Sequence, residues 1–206
     1  MKLYYLISVL IIGAALVPFF AGFERRRPTA RDIVLLAVMV ALAVASRAAF
    51  AAVPHFKPMA AVVMITGMAL GSRQGFLAGA LAALASGFLF GQGPWTPFQM
   101  LAFGSAGLVF GLVGPCLPVP LSGWARLGLA GAGFLFVVLV LGPILDTSSV
   151  FLMLASLTPA SVLAIYGAGL PINVIHGVAT ALTLLLVANP LLGQLARLRT
   201  KYGLGE

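Results

Sequence analysis

The stretch GFLAGALAALASGFLFGQGPWTPFQM, Gly75 to Met100, holds two kinds of chemistry in one run. Up to Phe90 it is apolar, rich in small residues and uncharged. From Gly91 onward it gathers glycines, prolines, Trp95 and two glutamines. The first part reads as a helix in lipid, where every backbone group must be satisfied within the segment. Its small residues allow neighbouring helix backbones to approach closely. The second part reads as a rigid turn at the end of that helix. Gly91 and Gly93 permit unusual backbone angles, and Pro94 and Pro97 fix others. So much polar, backbone-breaking chemistry suits either a helix-to-helix corner or the rim of a ligand site.

The rest of the chain supports lipid as the solvent. Of its 206 residues 62% are apolar and 8% charged, with a mean hydropathy of +1.14. A soluble domain carries about 25% charged residues. The net charge of +8 would suggest nucleic acid in a soluble protein. Here the cations lie in short connectors, where they set topology. Apolar runs at 3–23, 33–53, 58–70, 75–90, 98–114, 127–145 and 169–192 predict about seven spans in one domain. The shorter runs require tilt or helix ends buried in protein. The stretch DTSSVFLMLASLTPASVLAIYGA, Asp146 to Ala168, is interrupted by Thr147, Ser148, Ser149 and Pro159. It reads as an outer half-helix or lid. The single cysteine, Cys116, excludes an intrachain disulfide framework and a cysteine-based zinc cluster.

Charge placement orients the spans. The first apolar run is followed by ERRRPTAR, with Arg25, Arg26, Arg27 and Arg31. A signal peptide carries its charge before the apolar core. Charge after it predicts an N-terminus outside and a cytoplasmic C-terminus. Arg73, Arg126, Arg197, Arg199 and Lys201 then fall on the cytoplasmic side, and Lys2, Arg47 and Lys57 on the outer side. Arg47 and Lys57 are the exceptions that topology does not explain. Charges near hydrocarbon mark ligand or ion pathways, or snorkel to headgroups from helix ends.

Four constellations are candidates for function. Ala37, Ala41 and Ala45 share one helix face at four-residue spacing, which serves internal packing or docks another helix. SRAAFAAVPHFKP places Arg47, His55 and Lys57 at the end of the second span. The turn after Phe90 offers Gln92, Trp95, Thr96 and Gln99; the amides donate and accept, and an indole can stack or sit at a membrane interface. Asn173 and His176, three apart, share a helix face. Asp146, the only acid between Asp32 and Glu206, is a candidate partner for Arg47 or Lys57. Gly67, Gly71, Gly75 and Gly79, with Gly107 and Gly111, read as close-packing positions. No GK[ST], HExxH or paired intramembrane acids occur, and with four acids in all a carboxylate-driven carrier has little to work with.

These places resemble the substrate-binding (S) components of energy-coupling factor (ECF) vitamin transporters. The resemblance rests on Ala37/Ala41/Ala45, on SRAAFAAVPHFKP, on Gly75–Met100, and on GLPINVIHGVATALTLLLVANPLL ending in LARLRTKYGL. It implies an all-α membrane protein: a six-helix S-component bundle over residues 30–206, with residues 1–29 forming an extra N-terminal transmembrane helix and basic loop. It implies that Ala37, Ala41 and Ala45 dock on a transmembrane coupling subunit driven by two ATPase subunits, so the chain itself would be no enzyme and would bind no cofactor or metal of its own. The ligand would sit near the outer surface on Arg47, Lys57, Gln92, Trp95, Thr96, Gln99, Asn173 and His176. GQGPWTPFQM most resembles the S components assigned to cobalamin. A corrinoid would offer amide arms to the glutamines, a macrocycle to Trp95 and a phosphodiester to Arg47 or Lys57; His55 or His176 is an alternative cobalt ligand. Acids and aromatics expected of a thiamine or riboflavin pocket are sparse. The rival readings are a lipid-modifying membrane enzyme using Arg47, His55 and His176, a structural subunit that binds no small molecule, and an S component for a different micronutrient.

Overall fold

The computed structural model describes residues 3–25, 29–153 and 157–202. Its centre is α3 (Met59–Leu70), which is apolar on every side and buried from Met59 to Ala69. A helix that is hydrophobic all round belongs inside. Twelve residues are too few to cross a bilayer, but a helix sheathed by others need not reach both surfaces. Around it stand α2 (Ala30–Ala49), α4 (Ser72–Phe90), α5 (Thr96–Val113) and α8 (Pro159–Tyr202). A further helix, α6 (Gly123–Phe136), runs through a wide π-turn at 137–141 into α7 (Gly142–Met153). The N-terminal helix α1 (Leu3–Arg25) lies outside this bundle, against α4, α5 and α7. Among the described residues the structure is all helical, as the sequence predicts, and five helices are long and apolar enough to cross a membrane.

Apolar burial drives little association in lipid, so close backbone packing matters more. The glycines provide it. A Cβ on Gly107 would strike the Gly75 carbonyl, and one on Gly79 the Phe103 carbonyl. Gly67 meets the Gly107 carbonyl in the same way. These contacts set α4 antiparallel to α5, with α3 alongside. Gly71, at φ 96°, has left the pattern: it turns the chain between α3 and α4.

The connectors sort into two ends. Arg31 at the start of α2 donates to the Tyr202 carbonyl at the end of α8 (3.3 Å). Arg199 donates to the Ala69 carbonyl at the end of α3 (2.7 Å). Helix direction then puts Arg73 and Arg126, each in the first turn of its helix, at this same end. The cations are thus gathered as the charge pattern predicts. Lys2, Arg26 and Arg27 lie outside the described residues.

The outer half-helix expected at 146–168 is not a separate element. Its first part completes α7 to Met153, and its last part is the opening of α8, a helix of 44 residues. Of the residues taken as breakers, Thr147, Ser148 and Ser149 lie within α7, and only Pro159 marks a boundary, the start of α8. Thr158 and Ser161 exchange backbone-to-side-chain hydrogen bonds (3.0 and 3.1 Å), a reciprocal cap, and Pro159 occupies the first helical position, where it costs nothing. Leu154, Ala155 and Ser156 are outside the described residues.

Candidate functional site

At the end opposite the basic cluster, α5 begins and α7 finishes side by side. Between them lies a cleft of about 520 Å³ lined by Trp95, Gln99, Asp146, Ser149 and Leu152, among others. The turn after α4 builds one wall. Gly91 takes a positive φ of 103°, which lets the chain reverse. The Gln92 amide donates to the Leu84 carbonyl (2.7 Å) and its carbonyl accepts from the Thr96 hydroxyl (2.7 Å). The Gly93 N–H donates to that same hydroxyl (3.2 Å). The Trp95 ring folds against Gly93, where any side chain would meet it, and remains 37% exposed. Gln92 and Thr96 therefore hold the turn, while Trp95 and Gln99 face the cleft.

The facing wall is fixed from α8. Asn173 is buried and donates to the Asp146 carboxylate (2.8 Å). Gly142 makes room for the Asn173 amide and Gly169 for the Asp146 carboxylate. Thr147 pairs with the Tyr166 hydroxyl (2.8 Å) one step further round. A carboxylate so held presents acceptors to whatever enters beside Trp95.

The other polar candidates are engaged elsewhere. Arg47 donates to the Ser86 hydroxyl (2.7 Å) and its guanidinium lies over the Phe90 ring at 4.7 Å, a cation–π contact. Lys57 donates to the carbonyls of Phe50, Ala51 and Val53 (2.8, 3.4 and 3.1 Å). It closes the C-terminal end of α2, where a cation is favoured. Among the described residues Asp146 thus pairs with neither Arg47 nor Lys57: each cation has its partners elsewhere in the bundle. His176 is buried against Phe103 (ring centroids 6.0 Å) and bonded to the Lys57 backbone, and its Nε2 has no partner among the described residues. His55 is exposed in the α2–α3 turn at φ 58°.

A second surface lies on the flank. Ala37, Ala41 and Ala45 are exposed and form the floor of a groove of about 620 Å³ between α2 and α4, walled by Val44, Leu84 and Phe88. Internal packing, the plainer reading of that stripe, does not describe this chain on its own. The stripe is open to a helix from outside.

Against this geometry, the family model described as ECF-type riboflavin transporter, S component, matches residues 27–197. The chain belongs to this family. No curated protein and no solved structure matches it. As an S component it is the substrate-binding, membrane-embedded subunit of an ECF transporter; S components are binding and transport subunits, and the family implies association with an ECF module of coupling and ATPase subunits. The family match ends at Arg197, and it begins at Arg27, just past α1, which leaves α1 outside the shared core.

Of the residues expected at the S component's ligand site, Trp95 and Gln99 come together in the cleft, and Asn173 backs it through Asp146. Gln92 and Thr96 hold the turn beside it and do not line it. Arg47, Lys57 and His176 are toward α2 and α3. Asp146, Ser148 and Ser149 were read as a pairing acid and as helix breakers, yet all three line the cleft. The usable signal was an isolated acid beside hydroxyls in an otherwise apolar span.

Proposed function

We propose that this S component captures a vitamin in the cleft between α5 and α7 and passes it to ATP-driven subunits docked on the α2/α4 alanine groove. The observation that carries the reading is the separation of the two surfaces: a cleft at one end with Gln99, Asp146 and Ser149 among apolar walls, and an exposed apolar groove on the flank. The basic end is cytoplasmic by the positive-inside rule, so the cleft opens outward and the N-terminus lies outside. Labelling of single cysteines at each terminus of intact cells tests this; labelling of both from the cytoplasm contradicts it.

The ligand we favour is cobalamin or a related corrinoid. The exposed Trp95 face takes the edge of a macrocycle. Gln99 and Ser149 pair with amide arms, and Asp146 accepts their N–H groups. Arg47 keeps guanidinium donors beyond the one given to Ser86, suited to a phosphodiester. A corrinoid exceeds the cleft and stands across its mouth. The second reading is a flavin, favoured by the riboflavin in the family description and by a cleft of drug-like size. Calorimetric titration of the purified protein with cyanocobalamin and with riboflavin decides. We expect saturable binding of cyanocobalamin alone; the reverse assigns a flavin, and binding of neither removes both.

A further inference from the structure

The helix that the family match leaves out, α1, touches the walls of both surfaces described above. Ile12 and Leu16 are buried, and Val9 and Phe20 are half-buried at three- and four-residue spacing on the same face. Ile12 and Leu16 lie in one cluster with Phe76 and Ala80 of α4 and Phe98 of α5. Phe98 stands between Trp95 and Gln99, on the turn of α5 that faces the cleft. Phe151, next to the cleft residue Leu152, packs against the same cluster from α7, its ring centroid 6.2 Å from that of Phe98. The two rings join α5 to α7, and α1 backs that junction. Further along α1, Phe20 also packs against Leu36 of α2 and Leu77 and Ala78 of α4, beside Val40 and Leu81. Val40 and Leu81 line the docking groove.

The hold on α1 is light. A Cβ at Gly13 or Gly22 would meet nothing within 4 Å, whereas the glycines of α4 and α5 are in backbone contact. Close backbone approach is the main attraction between helices in lipid. The main core around α3 includes none of the described α1 residues. Pro18 stands inside the helix, between Leu16 and Phe20. It lacks the N–H of a helical bond and its ring crowds the preceding turn, so it makes a joint. The half before this joint rests on the cleft wall, and the half after it ends beside the groove.

We propose that α1 is a releasable clamp on the ligand cleft: Ile12 and Leu16 hold the Phe98–Phe151 junction closed, and Phe20 anchors the helix at the edge of the groove. The proposal rests on the cleft and groove reading given above. A helix entering the groove meets Val40 and Leu81, the side chains beside the anchor, so docking and the hold on α7 act on one element.

Spin labels at Leu112→Cys on α5 and Met153→Cys on α7, both exposed, test it in the full chain carrying Cys116→Ser, without vitamin. Pulsed electron resonance should give one narrow distance distribution. Ile12→Ala with Leu16→Ala should add a second, longer distance, and so should Phe20→Ala. Ile12→Val with Leu16→Ile keeps most of the bulk and should restore the single distance. Leu10→Ala with Val17→Ala, on the exposed face of α1, should leave it unchanged. Release of cyanocobalamin in stopped flow should quicken by about tenfold in Ile12→Ala with Leu16→Ala, since such changes act mainly on dissociation. If riboflavin alone binds, it serves as the probe. An unchanged distribution, or one broadened equally by the exposed-face pair, overturns the clamp; so does unaltered release where the second distance is present. Binding of neither vitamin removes the cleft reading, and the distances alone then decide whether α1 holds α7.

Discussion

Gly75, Gly79 and Gly107 lie where α4 and α5 touch backbone to backbone, whereas Ala37, Ala41 and Ala45 face outward from α2. Both are small residues at four-residue spacing in apolar helices. The glycine stripe has its partner within the chain, and a single added carbon collides with a carbonyl. The alanine stripe has no such partner; its groove is walled by larger residues and stands open. The same pattern thus marks an interface in both places, and only the fold tells which one is complete. In a membrane, where close approach is the main attraction between helices, an open stripe of this kind is a surface awaiting another chain.

Substitutions at the two stripes should therefore differ in kind. Gly107→Val places atoms on the Gly75 carbonyl, backbone that cannot swing away. Overpacking of this sort costs about 1–3 kcal/mol and at times more, and here the carbonyl, carbonyl carbon and Cα of Gly75 all stand in the way. We expect loss of the monodisperse species in size-exclusion chromatography; a well-folded Gly107→Val would mean α4 and α5 are not packed as described. The next effect in size belongs to the cleft. Trp95→Ala should weaken the vitamin by about 1–3 kcal/mol, the range for loss of a stacking aromatic, with the thermal midpoint little changed. Unaltered affinity in a titration would move the ligand away from α5. The smallest effect separates rim from cap. Lys57→Met removes the cation bonded to three carbonyls of the turn that follows α2 and should cost about 1 kcal/mol of stability, leaving affinity within about twofold. A tenfold loss of affinity would instead place Lys57 at the ligand.

Much of this fold was legible in the sequence because lipid imposes blunt rules. Apolar runs, connector arginines and glycine spacing predicted the helical bundle, the basic end and the tight packing, although of about seven expected spans only five described helices are long and apolar enough to cross a membrane. The missed element, the opening of α8, failed for a local reason. Pro159 reads as a breaker in a composition reading, yet between Thr158 and Ser161 it opens a helix that those two residues cap. At the site, residue type marked Trp95 and Gln99 but could not say that Gln92 would turn back onto Leu84 or that Lys57 would bond the turn that closes α2. Those outcomes depend on side-chain reach across a turn, not on spacing. Asp146 was conspicuous as a lone acid, but its partner Asn173 lies on another helix, a pairing that appears only when α7 meets α8.

The central claim is that binding and coupling use separate surfaces, and Ala41→Trp tests it most directly. Ala41 is exposed in the groove, far along α2 from the cleft, so an indole there disturbs an incoming helix and no internal contact. The variant and the parent are to be purified side by side, with vitamin affinity and co-purification of the coupling subunits measured on each. Retained affinity with lost co-purification is the predicted result. Loss of both together, or co-purification equal to the parent, would contradict the account.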